Sequence, residues 1–176
     1  LESNGFSKTE REILMRRGIA GVQTNAQKAR TYSNTTRLEA ERARAANNMA
    51  KSQELYKQSA TAMETFLKDI TTKKTARDYA DAVYLNQAAG DYDKAAKYMM
   101  NRYNMEFADV RDTARRNEMI FERMRQNKAD LRKNLNADPR NPSRLKYYED
   151  ENKLIEAFIK SGQIRFTPSH LNELSR

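Results

Sequence analysis

The chain has 176 residues, enough for one domain, and carries a net charge of +9 from 33 Lys and Arg against 24 Asp and Glu. Leu, Ile, Val and Phe supply only 28 of those residues, a thin stock for a packed core. The absence of cysteine excludes a disulfide framework and thiolate chemistry, and no apolar run reaches the roughly 18 residues of a membrane-spanning helix.

Helical periodicity along most of the chain argues against disorder. The thin apolar stock therefore points to long helices whose core is completed by another copy or another protein. A pI near 9.7 points to an acidic partner such as nucleic acid, a phosphorylated surface or an acidic protein, or else to a solvated basic surface. The opening Leu1-Glu2-Ser3-Asn4 lacks an initiator Met and does not read as a signal peptide, which fits a fragment or a processed product.

Ser7-Lys8-Thr9-Glu10 fits a capping box and predicts a short helix from Lys8 to Arg17, burying Ile13 and Leu14. Gly18 and Gly21 then loosen the chain around Ile19, Ala20 and Val22. The stretch Ile13–Val22 reads as a hinge docking on longer helices or, with Arg16 and Arg17, as a membrane-surface segment. From Asn25 to Ile70 neither Gly nor Pro intervenes, which predicts a first very long helix. Steps of four and three give its seam as Leu38, Arg42, Ala45, Met49, Ser52, Tyr56, Ser59, Met63, Phe66 and Ile70. The part before Leu38 is polar all round and is expected to fray or to lie against a partner.

Thr71–Thr75 breaks that pattern and can cap a shorter helix to Ala89, whose apolar face is Ala76, Tyr79, Ala80, Val83, Tyr84 and Ala88. Gly90 suits the left-handed position after its end, and Asp91 suits the cap of the next helix. The stretch from Tyr79 through Gly90-Asp91-Tyr92-Asp93-Lys94-Ala95 is similar to one tetratricopeptide hairpin. Val83, Asn86 and Arg102 depart from that motif, and no second copy follows at an offset of about 34 residues, so the segment reads as a tight helical hairpin alone.

Asp91 to Leu135 again lacks Gly and Pro and predicts a second very long helix, about 65 Å at 1.5 Å per residue. Its packing seam includes Met100, Tyr103, Phe107, Val110, Phe121, Met124, Leu131 and Leu135. The polar Asn117 and Lys128 also fall on it, where such residues fix register or partner choice. Asn136–Pro142 is the clearest breaker. Asn141 and Pro142 then start a helix to Ser161, with Leu145, Tyr148, Ile155, Phe158 and Ile159 as its buried side. Gly162 ends it, Gln163–Phe166 forms an extended arm, and Thr167-Pro168-Ser169 starts a short last helix with Leu171 and Leu174.

Chemistry is sparsely provided. His170 is the only histidine; on the last helix it reads as a surface or capping residue, and a paired-His metal site would need a second subunit. No Gly-rich phosphate loop is present. Asp78, Asp81, Asp91 and Asp93 cluster around one hairpin, but helix starts and solvated faces account for them. Glu149-Asp150-Glu151 reads as a solvated face. No catalytic, metal or cofactor residue is assigned, and the chain is expected to be non-enzymatic. The stronger signal is a basic stripe, Arg111, Arg115, Arg116, Arg123, Arg125, Arg132 and Lys133, continued by Lys128, Arg140 and Arg144. It could track a phosphate backbone, or simply offset a helix dipole among interleaved acids.

The expected fold is all-α: a long-helix bundle with two very long helices, a short helical hairpin and a C-terminal arm. Residues 1–24 form the N-terminal helix and hinge, 25–136 the bundle core, and 137–176 the last helices and arm. Gly18-Ile19-Ala20-Gly21-Val22-Gln23-Thr24-Asn25-Ala26-Gln27-Lys28-Ala29, a small apolar start feeding an Asn/Gln/Ala helix, resembles the internal virion (core or ejection) proteins of short-tailed phages. The likeness is one of composition without a motif. It implies a structural subunit of the virion, oligomeric around the portal or tail channel and passed into the host envelope during infection. Two other readings stand beside it: a sequence-independent nucleic-acid-binding helical protein, and a monomeric adaptor or effector that takes a partner helix beside the hairpin.

Overall fold

The computed structural model describes Thr9 and residues 24–176, and every regular element in 24–176 is an α-helix. Apart from Thr9, the expected Lys8–Arg17 helix and the Ile13–Val22 hinge lie outside the described residues. The chain divides into two compact units, Leu1–Lys73 and Lys74–Arg176, so the boundary falls inside the span 25–136 expected as one core.

The described part of the first unit is a helical hairpin. Thr24 caps α1 (Asn25–Ala45) through a reciprocal box with Gln27, and Asn48 caps α2 (Met49–Lys68) by accepting from the Lys51 amide. The single long helix expected from Asn25 to Ile70 is therefore corrected to two helices of 21 and 20 residues. The break needs no Gly or Pro because Asn47 takes the left-handed conformation, φ 60°. Its amide bonds to the Arg44 carbonyl and that of Asn48 to Ala43, closing α1 with a Schellman pair. A β-branched residue cannot sit there without strain. Asn47→Val should cost the hairpin about 1–2 kcal/mol, while Asn47→Gly should cost nothing. Equal thermal unfolding of the Val variant and the parent would contradict this.

The seam of α1 is also displaced from the expected one. Ala26, Ser33, Thr36, Ala40 and Ala43 are buried, whereas Leu38 is 53% exposed. Against them α2 buries Ser52, Tyr56, Ser59, Ala60, Met63 and Phe66. Small side chains let the two backbones approach closely enough for hydroxyls to reach across. Ser33 Oγ donates to the Ser59 carbonyl at 2.9 Å, Ser59 Oγ to the Ser33 carbonyl at 2.7 Å, and Ser52 Oγ to Ala40 at 2.9 Å. Ile70, expected at the end of the seam, is 98% exposed because α2 stops before it.

The second unit comprises α3 (Ala76–Ala88), α4 (Tyr92–Glu106), α5 (Thr113–Ala137), α6 (Pro142–Ser161) and α7 (Pro168–Leu174). The caps fall where expected. Thr75 and Asp78 box the start of α3, Gly90 has φ 86°, Asp91 accepts from Lys94, Asn141 precedes Pro142, and Gly162 has φ 69°. The second very long helix is corrected to α4 and α5, of 15 and 25 residues. Phe107 leaves the helical region at φ −111° and ψ 26°, and Asp112 restarts the helix by accepting from the Arg115 amide. Bending there brings Arg123 of α5 onto Glu106 of α4 at 2.8 Å.

Helix α6 lies at the centre, packed on α4 and α5, with α3 touching it and α7 resting on α5. Its buried side is Asp150, Glu151, Leu154, Ile155 and Phe158; of the expected side, Ile155 and Phe158 are buried and Tyr148 and Ile159 half-buried, whereas Leu145 is 42% exposed. Gln163–Phe166 crosses as an irregular arm whose Ile164 is buried and whose Phe166 ring meets Phe158 edge-on.

Candidate functional site

Where α4, α5 and α6 meet, the second unit encloses the charged side chains of Lys128, Asp150 and Glu151. Asp150 is fully enclosed and accepts from the Tyr92 hydroxyl and from the Lys146 ammonium, both at 2.7 Å. Burial, followed by that hydrogen bond and the charges of Asp150 and Glu149, pushes the Tyr92 phenol far above its ordinary range. Glu151, the next residue, is also buried. Loss of water pushes its carboxyl up to about 7, against the pull of Arg102 and Lys128 and with a push from Asp150. The expected solvated face Glu149-Asp150-Glu151 is thus corrected at its last two positions.

Lys128 faces these groups from α5. It is 8% exposed, and its ammonium donates to the Leu174 carbonyl at 2.6 Å, tying the end of α7 to α5. Burial lowers its pKa; Tyr148 and Glu151 act against that, and Arg132 adds to it. One turn further along α5, the Arg132 guanidinium donates twice to the Tyr148 hydroxyl, at 3.0 and 3.2 Å, and once to the Arg176 carbonyl. Burial raises the Tyr148 phenol, but the bond and charge from Arg132 and the charge of Lys128 outweigh it and lower its pKa.

Beside this cluster, α5, α6 and α7 leave a groove of about 640 Å³, floored by Ile155, Ile159 and Leu174, rimmed by Leu171, and bounded by Lys128 and Tyr148. A basic recess of about 190 Å³ adjoins it, sharing Lys128, Leu174 and Arg176 and adding Arg125 and Arg132. Together they make a wedge with an apolar end and a cationic end.

The remaining expected positions sort by what each side chain touches. Of the packing seam, Tyr103, Phe107, Phe121 and Met124 are buried, while Met100, Val110, Leu131 and Leu135 are half-buried. Phe107 stacks on Tyr103 beneath the Arg123 guanidinium, and Phe121 lies 4.1 Å from the His170 ring. These contacts are within the unit. Of the basic stripe, Arg111, Arg115 and Lys133 are exposed and Arg116 is half-buried. Arg123 pairs with Glu106, Arg125 with Glu122 and more distantly Glu173, and Arg132 with Tyr148. The stripe is therefore not one continuous free surface. His170 caps α7, its Nδ1 accepting from the Thr167 amide, and its Nε2 lies 2.9 Å from Glu118. Asp78 and Asp91 serve as caps, and no three His, Asp or Glu side chains among the described residues are grouped to hold a metal ion.

Comparison with family models, with curated proteins and with solved structures finds no significant match. No described helix is long and apolar enough to cross a membrane.

Proposed function

We propose that the chain is a non-enzymatic structural subunit that packs against other copies or other proteins of a larger assembly. The observation that carries this reading is the α1–α2 hairpin. Its seam sets Ala, Ser and Thr of α1 against only three large apolar side chains of α2, Tyr56, Met63 and Phe66, while Tyr32 and Leu38 stand out at 54% and 53% exposure. Small units with so little apolar burial are commonly completed by oligomerisation. The narrower reading, a virion-associated subunit near a portal or tail channel, rests on the resemblance of Gly18–Ala29 to internal virion proteins of short-tailed phages. Gly18–Gln23 of that stretch lie outside the described residues.

Solution mass by light scattering, at low and high salt, tests the proposal. A defined oligomer that persists in high salt is expected, because apolar packing is not screened. Leu38→Glu should dissociate it while helicity is retained, since the charge would be buried only at the interface. A monomer under both salt conditions would overturn packing between copies and leave only packing against other proteins. Nucleic-acid binding through Arg111, Arg115 and Lys133 is the second reading, favoured by their exposure. It requires an affinity that ignores base sequence and falls steeply with salt.

A further inference from the structure

We propose that the wedge between α5, α6 and α7 binds a free single-chain amphiphile with an anionic head, such as an alkyl carboxylate. The apolar end supplies the reason for a chain. Ile155 and Leu174 are buried in its floor, and Leu171 stands at its rim with 38% exposure. A volume near 640 Å³ lies within the range of about 300–1,000 Å³ typical of small-molecule sites.

The cationic end supplies the reason for an anion. Lys128, Arg125, Arg132 and Arg176 line the recess against one acid, Glu173. Arg125 is partly neutralised by Glu122 at 2.9 Å and lies 3.9 Å from Glu173. Among the described residues, neither Lys128 nor Arg132 forms a direct ion pair with an Asp or Glu side chain: their hydrogen bonds go to the Leu174 carbonyl and to the Tyr148 hydroxyl and the Arg176 backbone oxygen, and Glu151 acts on Lys128 only through its charge. A buried ammonium whose one hydrogen bond goes to a backbone carbonyl is costly, and an anionic head reaching it forms the stronger, charge-assisted bond. Tyr148, accepting from Arg132, keeps its own O–H to donate toward the same head. Glu156 lines the groove and not the recess, so the head belongs in the recess and the chain along Ile159 and Leu171.

Calorimetric titration of the full chain with monomeric decanoate tests the site, with decyltrimethylammonium and inorganic phosphate as controls. Saturable one-to-one binding of decanoate is expected, with neither control matching it. Lys128→Met should weaken binding by about tenfold or more, the scale of one charged hydrogen bond. Leu171→Lys, at an exposed rim position, should weaken it through the chain end and keeps the test valid if Lys128→Met fails to fold. Equal binding of the cationic analogue would reduce the groove to general apolar adsorption and overturn the proposal. So would binding of phosphate as tight as decanoate, absence of saturation, or decanoate affinity unchanged in Leu171→Lys.

Discussion

Phe158→Ala should lower the stability of the C-terminal unit by about 3–5 kcal/mol. Phe158 has no exposed surface, and it sits on the central helix α6, where α4 and the 163–166 arm converge. Its ring meets Tyr103 edge-on at 6.4 Å and Phe166 edge-on at 6.2 Å. Each such pair adds about 0.5–1.5 kcal/mol beyond burial alone. Truncation would therefore remove the transfer term, two ring contacts and the packing of the arm at once. The surrounding side chains cannot close the gap easily, because Tyr103 is itself held between Phe107 and Phe158. Against a total of roughly 5–15 kcal/mol for an ordinary domain, the loss is large. Urea unfolding followed by helicity is the measurement, and Phe158→Leu should cost much less because it keeps most of the volume. A loss below about 1 kcal/mol for the alanine variant would mean that the ring is not a keystone of the unit.

The parts of this fold legible in the sequence are those punctuated by residues with strong backbone demands. Gly90 and Gly162 adopt positive φ, and Asn141-Pro142 and Thr167-Pro168 open helices, so α3, α6 and α7 lie where their boundaries were expected. The two long helices failed for a common reason. Their breaks, at Asn47 and at Phe107–Asp112, use Asn and Asp, residues that tolerate left-handed or capping geometry without advertising it as Gly and Pro do. The seam of α1 was misplaced because Ser33, Thr36, Ala40 and Ala43 register as polar or neutral, yet their small size is what permits close packing.

The polar cluster is legible in its spacing but not in its charge. Asp150 and Glu151 lie four residues before the buried Leu154 and Ile155, which places them on the same helix face. Charge argued for solvent, and position argued for the core; position prevailed, with Lys146 one turn before Asp150 as the readable partner. The wedge beside them was not legible at all. It exists because α7 returns onto α5 through Lys128 and Leu174, a contact that no local pattern encodes.

Glu151→Gln should abolish a pH dependence that the parent shows below neutrality. In the unfolded chain the Glu151 carboxyl releases its proton near its ordinary 4.5, but burial in the fold holds the proton to about 7. Between those values the native state binds the extra proton, so stability is full below pH 4.5, falls as pH rises toward 7, and is level above it. The span corresponds to at most about 3 kcal/mol. Arg102 from α4 and Lys128 from α5 limit the loss by favouring the carboxylate, while Asp150 on α6 adds to it. Gln keeps the volume and cannot ionise. The variant should therefore match the parent near pH 4, exceed it at pH 8, and lose the intervening slope. Thermal or urea unfolding of the C-terminal unit across that range decides the matter. A slope unchanged in Glu151→Gln would assign the titration to other groups and leave the carboxylate compensated by Arg102 and Lys128.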